Sequence, residues 1–431
     1  MKIQNSTPIS SFGGLNFVIE EFNRLNISSL LSKCLFTLPP QSKYSWKDIL
    51  YSFWSIIFCG GDCAEDLAIN LKPSLKNNPL FNISSPDRVL NRMKDLAESP
   101  KIYKTPRGRS QHIFSFNKSL NILNIKLLQK LALLNKQNNI LDYDNTLLFT
   151  DKADAANTYL KRRGYCPGVG IIGNNIVYIE NRNGNSDAQT LQQDTLTRMF
   201  NLLKSSGIRI NEFRADSASY QLSTLHVISQ NVEKFYIRAR MNETLNEAIK
   251  RIDNWEEVII NKQIQYRGSV NFIPFEHIAK RNKQQHLLNT YRLVVTKEKR
   301  KDGQINLFTG EAFNYHAILT NNYEKSNNEI VLFYNQRGAI EREFDVLKND
   351  FAWGKMPFSK IEYNTVFLLL TAICRNLYNH IIMVFSKKID FLSSHFRIRK
   401  FIFRFICIPG KWIKTGRTQK LRVYGKLSFK T

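Results

Sequence analysis

Between Ile140 and Ala239 the chain runs through strand-like and helix-like segments in an order that few folds accommodate. Ile140 to Phe149 reads as a strand. Gly168 to Ile172 and Ile176 to Glu180 read as two more, joined by the turn-forming Gly173-Asn174-Asn175. Ser186-Asp187 is placed to cap an apolar-periodic helix that runs to Ser205, and Gly207 to stop it. Ile208 to Ala215 reads as a fourth strand, Tyr220 to Gln230 as a helix and Lys234 to Ala239 as a fifth strand. The sequence therefore predicts three antiparallel strands followed by alternating helix and strand.

Acidic residues fall at two revealing places in that order. The first strand holds Leu141-Asp142-Tyr143-Asp144-Asn145-Thr146, and residues two apart share a strand face. Two carboxylates on one face of an apolar strand repel, and a cation or a proton must relieve them. A lone strand Asp is ordinarily a turn cap. Asp216, in Phe213-Arg214-Ala215-Asp216-Ser217, ends the fourth strand and precedes a helix, where capping is the ordinary role. Further on, Tyr334, Arg337, Glu341 and Lys348 are spaced so that an α-helix carries them on one side, the last three about 60°, 20° and 40° from the first. Ile340, Phe344, Leu347 and Phe351 form an adjoining apolar stripe that predicts burial. A solvated helix face of mixed sign is the ordinary account of those charges.

The Tyr-x2-Arg-x3-Glu-x6-Lys spacing, within Tyr334-Asn335-Gln336-Arg337-Gly338 and up to Lys348-Asn349-Asp350-Phe351, resembles the YREK signature of bacterial insertion-sequence DDE transposases, most closely their thirteen-eighty group. The resemblance implies a ribonuclease-H-like α/β core: a mixed five-stranded sheet with helices, interrupted by a β-rich insertion and preceded by an α-helical domain. The implied divisions are 1–135, helical and DNA-binding; 136–240, first part of the core; 241–330, insertion; 331–390, second part of the core; and 391–431, a basic tail. Within the insertion, Tyr291 to Thr296 and Ile305 to Phe308 are the better strand candidates.

The catalytic trio implied by the resemblance is Asp144, Asp216 and Glu341, with intervals of 72 and 125 residues. Asp144 stands directly before a small residue and Thr, as the family's first Asp commonly does; Asp142 is the second choice. Cleavage by water and strand transfer by a 3′-hydroxyl both need the attacking and leaving oxygens stabilised, which two Mg²⁺ ions about 3.5–4 Å apart can do. Three carboxylates suit Mg²⁺, which prefers hard oxygen ligands, few of them from protein. Asp144 would bridge both ions, with Asp216 and Glu341 each completing one, and Mn²⁺ would substitute. Tyr334, Arg337 and Lys348 would handle DNA, Arg337 by forking onto a phosphate. Trp255, the one Trp of the insertion, is a candidate for holding a displaced base, with a core position as the alternative. The implied activity is cut-and-paste transposition on the element's own terminal inverted repeats and on target DNA, by a homodimer in the active complex. A domesticated DNA-binding protein and a ribonuclease-H-like endonuclease are the competing readings.

Composition agrees with a polyanionic partner: 62 Lys+Arg against 36 Asp+Glu give a net charge of +26. Arg88 and Arg92 lie on a helix opened by Ser85-Pro86-Asp87, Arg107 and Arg109 in a basic loop, and Arg397 and Lys400 in a tail with eleven cations and no acid between Arg397 and Lys430. Six scattered cysteines predict no disulfide framework and a reducing, cytoplasmic setting, in a bacterium one associated with the nucleoid. The apolar stretch Val366 to Phe385 is interrupted by Arg375, Asn376 and His380 and reads as a buried helix, so no membrane association is expected. None of the seven histidines pairs with a nucleophile, which leaves Ser/His or Cys/His catalysis unsupported.

Overall fold

The computed structural model describes residues 9–75, 78–105, 110–135, 137–260, 262–300 and 312–425. Five helices open it: α1 (Leu15–Arg24), α2 (Ile27–Cys34), α3 (Trp46–Phe58), α4 (Lys72–Leu75) and α5 (Pro86–Asp95). Ser45 and Asp48 cap α3 reciprocally, satisfying N–H groups that have no partner inside the helix. The sequence predicts helix throughout this region, with little strand; instead β1 (Lys101–Lys104) and β2 (Gln111–Ser115) form a hairpin before α6 (Lys118–Lys130). Both strands are short, β1 is mostly exposed and burial in β2 rises along the strand without alternating, so they lack the apolar alternation by which a strand is read.

Strand β3 (Asn139–Asn145) is followed by three short strands, β4 (Leu148–Phe149), β5 (Ala156–Asn157) and β6 (Arg163–Tyr165), which form a small sheet of their own. Then come β7 (Gly168–Ile172), β8 (Asn175–Arg182), α7 (Gln192–Ser205), β9 (Ile210–Ala215), α8 (Leu222–Asn231) and β10 (Lys234–Arg238). Helix α7 starts later than Ser186-Asp187 predicts, because the Asp187 carboxylate accepts the N–H groups of Gln189 and Thr190 in a turn of its own. The next stretch holds α9 (Glu243–Lys250), β11 (Glu256–Ile260), β12 (Gln263–Phe272), α10 (Glu276–Arg281), β13 (Tyr291–Lys299) and β14 (Phe313–Thr320). The predicted strand at Ile305–Phe308 lies outside the described residues. Last are α11 (Asn327–Asn335), a tight turn at 336–338, α12 (Ala339–Asp350), α13 (Ile361–Phe385), α14 (Ile398–Phe401), β15 (Gly410–Thr415) and β16 (Thr418–Val423).

The fold is mixed α/β. Its large sheet runs β1-β2-β8-β7-β3-β9-β10-β14-β13-β12-β11 among the described residues. Only β3–β9 and β9–β10 pair in parallel. Strands β11 to β14, in the stretch expected to be an insertion, are continuous with the rest of this sheet, joined through β14 beside β10.

Two large cores lie on the sheet. One holds α7 and α8 side chains such as Leu196, Phe200 and Leu225. The other joins the N-terminal helices to the C-terminal elements: Leu15, Phe22, Trp54, Phe344, Leu370, Phe401 and Phe405 share it. Helix α13 runs through that core, taking the Trp54 indole N–H on the Leu370 carbonyl and fixing β8 through Asn376, which bonds the N–H and the carbonyl of Ile176. It is long and apolar enough to cross a membrane by length and composition, but 89% of its apolar window is buried in the fold. Part of the basic tail is also structural. Phe401 is buried, and Ser10 and Gly410 exchange backbone bonds.

Candidate active site

The register of β3 against β9 builds the site. Asp142 lies opposite Arg214 and Tyr143 opposite Ala215, so the next residue on each strand, Asp144 and Asp216, emerges at the same carboxyl edge. Adjacent strands are about 4.8 Å apart, which brings the two carboxylates into mutual range. Burial, then repulsion from Asp216, raises Asp144 to about 6, with Arg337 opposing both. Burial also raises Asp216, against its bond from the Ala218 N–H at 3.0 Å and the charge of Arg337.

Arg337 reaches this edge from the turn between α11 and α12 and donates to Asp144 Oδ2 at 2.9 Å. The single helix that the spacing predicts from Tyr334 to Phe351 is thus interrupted at 336–338. The four signature positions still follow one helical run, but they do different jobs. Tyr334 is buried, and its hydroxyl donates to the Ala215 carbonyl at 3.3 Å, next to Asp216. In this structure the phenol braces the carboxylate strand. Glu341 is exposed in the first turn of α12, with no ion-pair partner among the described residues. Lys348 is half-buried, which lowers its pKa against the opposing charge of Asp345. The stripe Ile340, Phe344, Leu347 and Phe351 is buried, and Arg375 of α13 clamps Glu343 at 2.9 Å.

Asp142 is closed off. Arg214 holds it with two bonds of 2.7 Å and also donates to the Phe333 carbonyl at 2.7 Å. Sequence reasoning missed Arg214; the only signal was the register of two strands that both end in Asp. Asp142 is thus committed to Arg214, whereas Asp144 is held by Arg337, which also faces Asp216.

The oxygens of Asp144, Asp216 and Glu341 do not converge to within 4.8 Å; among the described residues only Asp62, Cys63 and Asp66 make so tight a group, and exposed acids gather that way without an ion. Asp144 and Asp216 are hard-oxygen donors whose shared need for positive charge is met by one guanidinium.

The remaining predicted contacts scatter. Arg88 and Lys400 are exposed, whereas Arg92 is paired with Asp95 at 2.9 Å. Arg397 is bound to Asp345 and Asp350 at 2.8 and 2.7 Å, beside the signature helix. Arg107 and Arg109 lie outside the described residues. Trp255 is half-buried, bonds its indole N–H to the Ile252 carbonyl and carries Lys297 over its ring at 4.2 Å.

Residues 4–430 match the family described as transposase DDE domain, group 1, and the chain belongs to that family. No curated protein matches it. Among solved structures it is similar to the piggyBac transposase, determined by cryo-electron microscopy as a synaptic complex with hairpin DNA. The identity is 11%, over 93% of this chain and 83% of that one, with a TM-score of 0.41.

Proposed function

We propose that this transposase belongs to the bacterial insertion-sequence type with the YREK signature, binds the terminal inverted repeats of its own element and moves it by cut-and-paste. The observation that carries the reading is the shared carboxyl edge of β3 and β9, where Asp144 and Asp216 face one cation and Arg337 leads into the Glu341 helix. The strand order β8-β7-β3-β9-β10 supports a ribonuclease-H-like core, with β11 to β14 as the insertion.

Asp144, Asp216 and Glu341 would hold two Mg²⁺ ions, with Mn²⁺ as substitute. When bound, the ions supply charge stabilisation and an activated water or 3′-hydroxyl for phosphodiester exchange. The chain's own residues set the rest. Arg214 immobilises β3 by taking Asp142, and Tyr334 fixes the backbone before Asp216. Arg337 neutralises Asp144 until the site is loaded and then has a fork free for a phosphate. Lys348 adds a point charge on the same side. The N-terminal helices and the basic tail would contact the DNA ends, through Arg88 and Lys400 among others. Pairing two ends calls for a homodimer in the active complex.

The test is Mg²⁺-dependent cleavage of a labelled duplex carrying the DNA end that flanks the gene. Wild type should cut at the element boundary, and Glu341→Gln should bind with near-normal affinity and not cut. Equal loss of binding in the variant would make Glu341 structural. Binding without cutting by wild type, with Mg²⁺ or Mn²⁺ and two ends supplied, would favour the domesticated binder.

A further inference from the structure

Strands β5 and β6 are joined by a tight loop with two large apolar side chains at its tip. The Lys161 N–H donates to the Thr158 carbonyl at 2.9 Å, the Thr158 N–H donates to the Arg162 carbonyl at 2.8 Å, and Lys161 has φ +58°. This is a type I turn followed by a left-handed residue, a common hairpin loop. The left-handed position ordinarily takes Gly, Asn or Asp, and here it holds Lys161, behind Tyr159 and Leu160. Tyr159 is 72% and Leu160 52% exposed, flanked by the exposed Lys161 and Arg162.

The base of the loop is firmly mounted. Asp154 accepts the Tyr165 hydroxyl and, at 2.6 Å, the N–H of Ile361 at the start of α13. The Asn183 side chain accepts the Ala156 N–H and donates to the Asp154 carbonyl, at 2.6 and 2.7 Å. Arg162 lies over the Phe149 ring at 3.9 Å. An apolar tip held this rigidly is not a frayed loop. It also stands at the right end of the sheet, since β4 continues β3 beyond Asp144 and pairs with β6. Leu160 is nine residues from Val169, the partner of Asp144, so the tip lies within about 30 Å of the carboxylates. One turn of duplex is about 34 Å.

We propose that the Tyr159–Leu160 tip is a wedge for the DNA held at the carboxylates. The two apolar side chains press into a base step within one helical turn of the reacting phosphate, while Lys161 and Arg162 meet the flanking phosphates. Apolar side chains commonly unstack a step in this way, and an aromatic ring gains stacking with the base it exposes. Charge favours DNA over a second copy as the occupant, because a copy brings the same net +26 to a tip already flanked by cations. The proposal rests on the transposase reading.

The test walks 2-aminopurine through the first ~10 base pairs of the flanking DNA end. Full-length wild type, Tyr159→Phe and the double variant Tyr159→Ala/Leu160→Ala are compared for emission, affinity and Mg²⁺-dependent cutting. Wild type and Tyr159→Phe should raise emission at one step. The double variant should lose that signal and bind about 5- to 100-fold more weakly, with an unchanged melting temperature. A double variant that opens the step and binds like wild type overturns the wedge. So does one that changes oligomeric mass in light scattering while leaving emission intact, which would make the tip a contact between copies. Wild type that cuts without opening any step removes the wedge and keeps the transposase reading. Wild type that opens a step but never cuts its ends does the reverse.

Discussion

Asp142 and Asp144 are two residues apart on one strand, and their surroundings could hardly differ more. Asp142 has a guanidinium to itself, bound twice at 2.7 Å, with the rest of that guanidinium satisfied by a backbone carbonyl. Asp144 shares Arg337 with Asp216, so two half-buried carboxylates answer to one cation. A net charge of +26 does nothing for this shortage, because the excess cations lie elsewhere. The difference separates a pair that holds the fold together from a place built to want a further positive charge.

The largest effect should come from opening the closed pair. Arg214→Met leaves Asp142 buried without its partner, and denaturant unfolding should show a loss of about 3–5 kcal/mol. Adding Asp142→Leu should recover most of it, since an apolar pair of similar volume tolerates the site. If the single variant is as stable as wild type, the pair is not the strut described here.

Asp144 should respond with the opposite sign. Its folded pKa, about 6, lies above the ordinary 3.8, so the charged form is disfavoured by folding. That penalty is fully present above pH about 6 and vanishes below about pH 4, so metal-free protein gains stability from this group on acidification across that window. The amount is about 2–3 kcal/mol. Asp144→Asn should be more stable than wild type by a similar amount at pH 8, lose that part of the pH dependence and fail to cut DNA. Mg²⁺ at a hundredfold excess over its dissociation constant should stabilise wild type by about 2.7 kcal/mol and the Asp144→Asn variant far less. Equal stabilisation of both would place the ion elsewhere.

What the sequence disclosed follows the same division between local and distant causes. An apolar stripe every three or four residues is a local pattern, and the buried face of α12 was readable from it, whereas the preference for Asp144 over Asp142 rested on the family resemblance. Arg214 was hidden because its partner depends on the register of two strands 72 residues apart. The small sheet around Tyr159 was hidden for another reason: strands of two and three residues have no measurable period. Tyr334 and Arg397 looked like free DNA contacts until Ala215, Asp345 and Asp350 came within reach. The N-terminal helices looked separable because nothing in their own sequence announces Phe401 and Phe405 as core partners.

The smallest expected effect probes the boundary between the two carboxylates' surroundings. Ala215 lies between Arg214 and Asp216, and its carbonyl accepts the Tyr334 hydroxyl at 3.3 Å, a long bond. Tyr334→Phe keeps the buried ring and removes that bond, so unfolding should register about 0.5–1.5 kcal/mol or less. Because the hydroxyl braces the backbone ahead of Asp216, cutting should slow modestly while affinity for the DNA end and its salt dependence stay as in wild type. A phosphate contact would behave differently, weakening binding across all sequences, with the salt slope unchanged because a neutral phenol displaces no counterion. That second outcome would move Tyr334 from the protein's interior to its DNA surface, and would mean that the edge of β9 opens when DNA binds.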